Sequence, residues 1–470
     1  PAGVRTIRPA PISPRRRDSA ARAAPSNPGR GACQAHPDGP RLNCWEHPDP
    51  SVPHESPRAD AAPRRRAGTL VHVSRFARVL ALSLCACSRR DEAPPIEVRV
   101  DPALEVPPLA ADKDPRSRPA TTNPTDAMVL HFIDIGQGDA TLLEFPCGAA
   151  LIDTGGEKNE LFDGEVALYA YLEAFFERRK DLDRTLDMLL ITHPHIDHNR
   201  AAVGVLERYK VKRVIDNGAD APHSHHDGTE DPGATQQMAV HTWLKGHPGA
   251  AEYLAVRAAD IPEGGLGGPT VDAIAGCARA ATDPRFTVLW GEVTHDLETY
   301  GDNPNNHSVV VRVDYGESAA LFTGDLELIG LSRLADRYER RPELLDVDIY
   351  QVGHHGSKNA TIHYQMALMS PRVAVISMGP YERDIPWTAR KYGHPHILAM
   401  EHLLHPQYGV RGRRAPKEVW VGFRGAFQDK VTEIFERRTI DRAVYGTGWD
   451  GTVVIAANAN GWLDVETKGR

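Results

Sequence analysis

The chain has few cysteines, few aromatic residues and no long apolar run. Six cysteines in 470 residues cannot form a disulfide-stapled scaffold. No run of about 18 apolar residues occurs, so no membrane-spanning helix is expected. Walker phosphate loops, dinucleotide fingerprints and zinc-knuckle spacings are also missing, which removes the commonest nucleotide- and zinc-module readings. Positive charge is not in excess. The 55 Lys and Arg against 63 Asp and Glu give −8, which argues against a chain built throughout to coat nucleic acid and leaves room for a local basic groove. What is present, 41% apolar and 25% charged residues, suits a globular protein with ample material for a core.

The first 70 residues contain no lysine and show no periodicity. They hold 13 of the 37 prolines and 12 arginines against six acidic side chains, so they carry +6 and the remaining 400 residues −14. Such a segment cannot bury enough apolar area to offset the entropy of ordering, and disorder is expected. Arginine without lysine, beginning at Pro1, reads more readily as translated upstream sequence than as natural protein. A basic tail for nucleic acid or membrane is the alternative. Residues 71–87 place Arg75 and Arg78 before a short apolar stretch and Leu84-Cys85-Ala86-Cys87. This pattern resembles the lipobox of bacterial lipoprotein signal peptides. The expectation is an exported cell-envelope lipoprotein, periplasmic or attached to the outer membrane through lipidated Cys87, with residues 88–127 as a proline-rich linker. An ordinary stretch of disordered leader is the other reading. Export would leave Cys147 and Cys277 as possible disulfide partners, although Cys277 by itself reads as a small packed side chain.

Folded sequence begins near Met128. Apolar runs at 128–132, 140–145 and 149–152 alternate with Gly-containing turns, as in a β-meander. A helical pattern spans 165–178, and a buried strand at 186–191 runs directly into His193-Pro194-His195-Ile196-Asp197-His198, with a helix-like run at 201–209. Alternating strands and helices whose strands end in polar loops point to a layered α/β architecture. Histidines two apart at a strand end, a third at the next turn and a carboxylate between them suit a divalent cation such as Zn²⁺, and Mn²⁺ or Fe²⁺ also accept such donors. Asp325 ends another apolar strand after a Thr-Gly turn. His354 and His355 follow the buried strand 347–352, and position after the strand favours His354 as the donor.

Eight ordered blocks carry a resemblance: FIDIGQGDA (132–140), LIDTGG (151–156), LLITHPHIDH (189–198), NNHSVVVRVDYG (305–316), LFTGD (321–325), VGHHGSKNA (352–360), VAVISMG (373–379) and YGHPH (392–396). They resemble the metallo-β-lactamase superfamily, and within it the hydrolase domain of ComEC-type DNA-uptake proteins and its stand-alone relatives, over residues 128–404. The resemblance implies a four-layer αββα sandwich with metal at one edge. It implies His193 and His195 on one ion, Asp197, His198 and His354 (or His355) on the other, and Asp325 between them. Two zinc ions, or manganese, would be the cofactor. Paired cations can lower the pKa of bound water to about 7 and polarise the scissile group. Asp197 would also orient the nucleophile, and Asp153 would brace the metal loop. Asp134, Asp139, Asn305, His307 and His394 complete the expected surroundings.

One departure from the superfamily pattern lies at Asn303-Pro304-Asn305-Asn306-His307-Ser308, where hydrolysing members have a further histidine and ComEC-type domains have asparagines. His307 or an asparagine would fill that place, or the first ion would bind weakly. Lys358 is a candidate catalytic contact to an anionic group, with a solvated loop lysine as the alternative, and His394 and His396 are candidates for the same contact, with strand-end packing or support of the metal ligands as the alternative. His223, His225 and His226 open an aperiodic insert over 217–282 and read as a solvated loop. Residues 405–470 read as a small β-rich extension or closing edge. The expected function is metal-dependent hydrolysis of a phosphodiester, small-molecule or nucleic-acid. The alternatives are an envelope lactone, ester or lactam hydrolase, or a catalytically silent binding module of the same fold. No protein partner is identifiable.

Overall fold

The computed structural model describes residues 127–219, 231–272, 274, 276–277, 280, 282–293, 303–423 and 434–469. The basic leader, the Cys87 lipobox, the linker before residue 127 and His223, His225 and His226 lie outside the described residues. Among the described residues, no helix is long and apolar enough to cross a membrane.

Short apolar runs broken by tight turns leave β1 (Ala127–Phe132), β2 (Thr141–Phe145) and β3 (Gly148–Ile152) paired antiparallel. Leu130 faces Leu143, and Leu143 faces Ala150. β4 (Thr185–Leu190), β5 (Lys210–Asp216) and β6 (Glu252–Ala255) then add in parallel. Parallel neighbours need a crossover. The crossovers here are the helices Gly164–Arg178, Ala202–Arg208 and Pro232–Gly246.

In the second sheet, β7 (Arg285–Trp290), β8 (Val310–Tyr315) and β9 (Ser318–Phe322) are antiparallel, whereas β10 (Ile349–Gln351) and β11 (Val373–Ile376) run parallel to β9. Helices Leu328–Tyr338 and His363–Met369 make those crossovers. β12 (Arg413–Gly422) and β13 (Phe435–Arg442) form a separate two-stranded ribbon. The chain then returns to both sheets. β14 (Val444–Gly446) lies beside β11, β15 (Val453–Asn458) lies beside β1, and β16 (Leu463–Thr467) closes the edge. Residues after 404 therefore supply closing strands of the sandwich, β15 and β16 to the sheet begun by β1 and β14 to the second sheet.

The alternation at the end of β4 shows why four layers form. Met188 and Leu190 join Phe132, Phe145, Phe322 and Tyr315 in the core between the sheets, while Leu189 packs with Leu168, Leu172 and Val205 of the covering helices. Leu331, Leu334, Met366 and Met369 cover the second sheet. The fold is the αββα sandwich expected from the sequence.

The insert is less aperiodic than its sequence suggests. Asp231 caps the helix Pro232–Gly246 by accepting the N–H groups of Gly233 (2.7 Å) and Ala234 (3.1 Å). Its buried face is Ala234, Gln237, Val240 and His241. With small and polar residues at most buried positions, no apolar period is visible. Cys277 is not simply packed, because it forms a disulfide with Cys147 across 130 residues, tying the insert to the turn between β2 and β3.

Candidate metal centre

Parallel strands end on a common side, and side chains in the loops beyond those ends converge. β3 leads to Asp153, β4 to the 193–198 loop, β9 to Asp325, β10 to the histidine pair 354–355, and β11 to Ser377. Two glycines let the 193–198 loop approach. A Cβ on Gly155 would lie 1.5 Å from the Asp197 carbonyl oxygen, and one on Gly138 would lie 2.5 Å from it. That carbonyl instead accepts the Asp139 N–H at 2.9 Å. The insert helix holds the loop from the other side, where Asn199 Nδ2 donates to the Gly233 carbonyl at 2.8 Å.

His193 and His198 are fully buried, and Asp325 is 1% exposed. His198 Nδ1 hydrogen-bonds to Asp153 Oδ2 at 2.8 Å, which turns its Nε2 toward Asp325 Oδ1 at 3.2 Å. Asp153 is fixed in turn by the N–H and hydroxyl of Thr192, both donating at 2.8 Å. His355 Nδ1 donates to the Ser377 carbonyl at 2.9 Å, so its Nε2 faces Asp197 Oδ2 (3.2 Å) and Asp325 Oδ2 (3.6 Å). His193 Nε2 lies 3.0 Å from His195 Nδ1 and 3.9 Å from Asp325 Oδ2. Asp325 thus stands between two histidine sets. Asp153 (φ 57°), His354 (φ 49°) and His355 (φ 53°) are all left-handed, a conformation that costs about 1–2 kcal/mol per non-glycine residue and collects at functional sites.

Of the two adjacent histidines, it is His355 rather than His354 that lies inside the cluster. His354 is partly exposed, with Nε2 3.8 Å from Asp325 Oδ2 and Nδ1 3.8 Å from Glu327 Oε1, whereas His355 is 1% exposed inside the cluster. The left-handed turn at both residues decides which ring points inward, and strand position could not show that. Asp139 approaches more closely than expected, with one carboxylate oxygen 3.8 Å from both His198 Nδ1 and His355 Nδ1. Those nitrogens already bond Asp153 and Ser377, so Asp139 lies behind the rings, where Gln351 Nε2 donates to it at 2.7 Å. Asp134 stays in its own turn, accepting the Gly136 N–H at 3.3 Å. His307 is directed away, its Nδ1 accepting the Val293 N–H at 3.1 Å. Asn305 donates through Nδ2 to Glu327 at 2.9 Å, and its Oδ1 is buried without a partner. Lys358 is exposed and takes no part in this network. His394 is buried beside the cluster, its Nδ1 accepting from Gln137 Nε2 at 3.3 Å, and its ring lies 6.0 Å from that of His355. His396 faces away, bonded to the Phe423 carbonyl. Sequence reasoning missed Gln351 and Glu327. A glutamine ending an otherwise apolar buried strand was a usable signal for the first, and nothing marked the second.

The electrostatics favour a cation here. Burial lowers the His193 imidazole, and His198 and His195 lower it further, so the ring is neutral and able to ligate. Burial pushes Asp139 up to about 6. Burial would also raise Asp325, but His198, His354 and His355 outweigh it and hold the carboxyl well below its ordinary range. His198 is held well above its range by Asp325 and Asp153 despite burial. His198 Nε2 and Asp325 Oδ1 are both buried and lack a well-formed hydrogen bond. The groups close enough to hold a divalent cation are His193, His195 and Asp325 on one side and His198, His355, Asp325 and Asp139 on the other, with orphaned donor atoms among them.

A family model described as "Metallo-beta-lactamase superfamily" matches residues 133–379, just over half of the chain. The chain is 27% identical over 308 residues to ComE operon protein 3 of Bacillus subtilis (strain 168), covering 63% of this chain and 33% of that protein. It is 36% identical over 145 residues to Recombination protein 2 of Haemophilus influenzae, covering 31% of this chain and 16% of that protein. The chain therefore spans about a third or less of the length of these relatives. Among solved structures it is similar to the metallo-β-lactamase fold protein YhfI of Bacillus subtilis, at 12% identity and TM-score 0.27 over 48% of this chain and 70% of that one. It is also similar to a diphosphatase from the PhnP family, at 11% identity and TM-score 0.26 over 53% and 85%. With its motif loops gathered around Asp325 and the model matching 133–379, the chain belongs to the metallo-β-lactamase superfamily.

Proposed function

We propose that this protein is a metal-dependent phosphodiesterase. The observation that carries the reading is the position of Asp325 between His193–His195 and His198–His355, with Asp197 at the edge. His193 and His195 would hold one cation, Asp197, His198 and His355 a second, and Asp325 would serve both. Bound there, divalent cations supply Lewis acidity and lower the pKa of water. The chain's own groups do the rest. Asp197, 29% exposed at its side chain, lies at the mouth of the site. Burial would raise its carboxyl, but His355 and His198 hold it well below the ordinary range, so it stays ionised and can accept a hydrogen bond from water. His394 is held neutral by burial and by the neighbouring His354 and His355. With Nδ1 accepting from Gln137, its Nε2 is the protonated nitrogen and can donate to a substrate oxygen.

Similarity to proteins named for the ComE operon and for recombination supports a nucleic-acid phosphodiester over a lactam, lactone or ester. Manganese is as compatible as zinc with a donor set of imidazole nitrogens and carboxylate oxygens. The Cys147–Cys277 disulfide supports an oxidising compartment, in keeping with export and lipidation at Cys87. The test is metal content of the purified chain together with hydrolysis of bis-p-nitrophenyl phosphate and single-stranded DNA. The control is an Asp197→Ala/His198→Ala double variant. Cleavage lost in the control supports the reading. Bound metal without cleavage turns it toward lactones and lactams, and no bound metal overturns it in favour of a silent module.

A further inference from the structure

The ribbon of β12 and β13 lies outside the residues matched by the superfamily model, and nothing in the hydrolytic site uses its side chains. Its charge departs from that of its surroundings. Residues 71–470 carry −14, yet these two strands hold Arg413, Arg414, Lys417, Arg437, Arg438 and Arg442 against Glu418, Glu436 and Asp441. Buried Asp450 holds Arg414 and Lys417 at 2.9 and 2.7 Å. Arg437 is exposed and only loosely paired, 3.5 Å from Glu418, and its guanidinium lies 4.9 Å from the centroid of the Trp420 ring. Trp420 stacks on Tyr381 with centroids 4.3 Å apart and planes at 21°, and Phe435 approaches Tyr381 at 4.9 Å.

Trp420, Tyr381, Arg437 and Trp449 line a cavity of about 410 Å³ that also reaches His394. The indole Nε1 of Trp449 is buried without a hydrogen-bond partner. The cavity ends at His394, whose ring lies 6.0 Å from that of His355. Its volume suits one small ligand unit and is too small for a duplex. Tyr381 is held between Trp420 and the Arg390 guanidinium, 4.5 Å from its centroid, so the platform is the Trp420 face under Arg437, and unpaired bases stack on such an indole face regardless of sequence. A guanidinium on a flexible stem over Trp420 can give way to a base and move to the neighbouring phosphate.

We infer that this cavity is a subsite for one unpaired base of a single-stranded nucleic acid, stacked on the Trp420 face, with Arg437 on the adjoining phosphate. The inference rests on the phosphodiesterase reading, because it places the neighbouring phosphodiester at the metal centre.

The test is binding by the full chain, in EDTA, of fluorescein-labelled oligothymidylate, an abasic oligomer of equal length and charge, and a duplex. Oligothymidylate is expected to bind about tenfold tighter than the abasic oligomer, and tighter than the duplex. Trp420→Ala should remove that preference. Arg437→Ala, at an exposed side chain, should reduce the slope of log affinity against log salt by about one. Equal affinity for thymidylate and abasic probes, tighter duplex binding, or an unchanged salt slope in Arg437→Ala would overturn the subsite. Should Trp420→Ala fail to fold by circular dichroism, the wild-type probe comparison and Arg437→Ala still decide. Hydrolysis of bis-p-nitrophenyl phosphate by the metal-loaded wild type reports separately on the phosphodiesterase reading. Its absence with the thymidylate preference intact would sink that reading alone.

Discussion

His355 presents its Nε2 to Asp197 at 3.2 Å because its Nδ1 is committed to the Ser377 carbonyl at 2.9 Å. Its neighbour His354 has no such anchor, and its Nδ1 is buried without a hydrogen bond. The adjacent histidines are therefore not equivalent. His355→Ala is expected to lower metal content and phosphodiester hydrolysis by about 100-fold or more, as for a lost ligand. His354→Ala should cost about tenfold or less. Metal analysis and kcat/KM on the two variants check the order, and an inverted order would restore His354 as the ligand.

Asp153 orients His198 while its own backbone is left-handed. Asn tolerates that backbone and keeps one acceptor oxygen, so Asp153→Asn should fold. It should weaken metal binding by about 10–100-fold, because the oxygen that fixes the His198 tautomer is compromised. Competition with a chromogenic chelator measures this directly, and an unchanged affinity would show that Asp153 does not tune the site.

Gly155 has no room for a methyl group, because the Asp197 carbonyl occupies that space. Gly155→Ala is expected to displace the 193–198 loop or cost about 3 kcal/mol of stability, with metal binding lost in either case. Thermal unfolding and metal content of the variant provide the check. Wild-type values for both would refute this packing.

The Cys147–Cys277 bond closes a 130-residue loop. Chain-entropy arguments give a stabilisation of about 4–5 kcal/mol for loops of this size. Cys147→Ser should lower the unfolding midpoint by several degrees, and dithiothreitol should lower the wild type to the same value. A reductant-insensitive midpoint would exclude the disulfide and weaken the case for export.

Glu144 gives a pH dependence remote from the metal. Burial would raise its carboxyl, but hydrogen bonds from His131, Arg178 and Arg179 outweigh burial and hold it well below its ordinary value of 4.5. A carboxyl depressed in the fold contributes stability that is present above about 4.5 and is lost as pH falls through its folded value. Glu144→Gln should cost about 2 kcal/mol at pH 7, a figure discounted because Arg178 is half exposed. Its difference from wild type should shrink in acid. Urea unfolding at pH 7 and pH 3 tests both statements.

Most of the sandwich was legible because strand alternation is local. The β1–β3 meander, β4 and the 165–178 helix read from apolar period alone, and the 193–198 loop is chemically distinctive wherever it lies. The insert helix was not legible, since Val240 is the one large apolar residue on a buried face otherwise made of Gly233, Ala234, Gln237 and His241, and packing rather than composition makes those positions interior.

The sequence by itself determined the layered architecture, the residue types of the candidate metal centre, and the strand-to-loop junctions that carry them. It could do so because hydrophobic period and ligand chemistry are written over a few consecutive residues. Tertiary structure decided what depends on distant partners. It turned His355 inward and His354 out, and it directed His307 to the Val293 backbone. It placed Gln351 behind the rings, joined Cys147 to Cys277, and set Trp420 and Tyr381 on a cavity reaching His394. Those outcomes rest on backbone handedness and long-range contacts between residues far apart in sequence, and no local pattern encodes either.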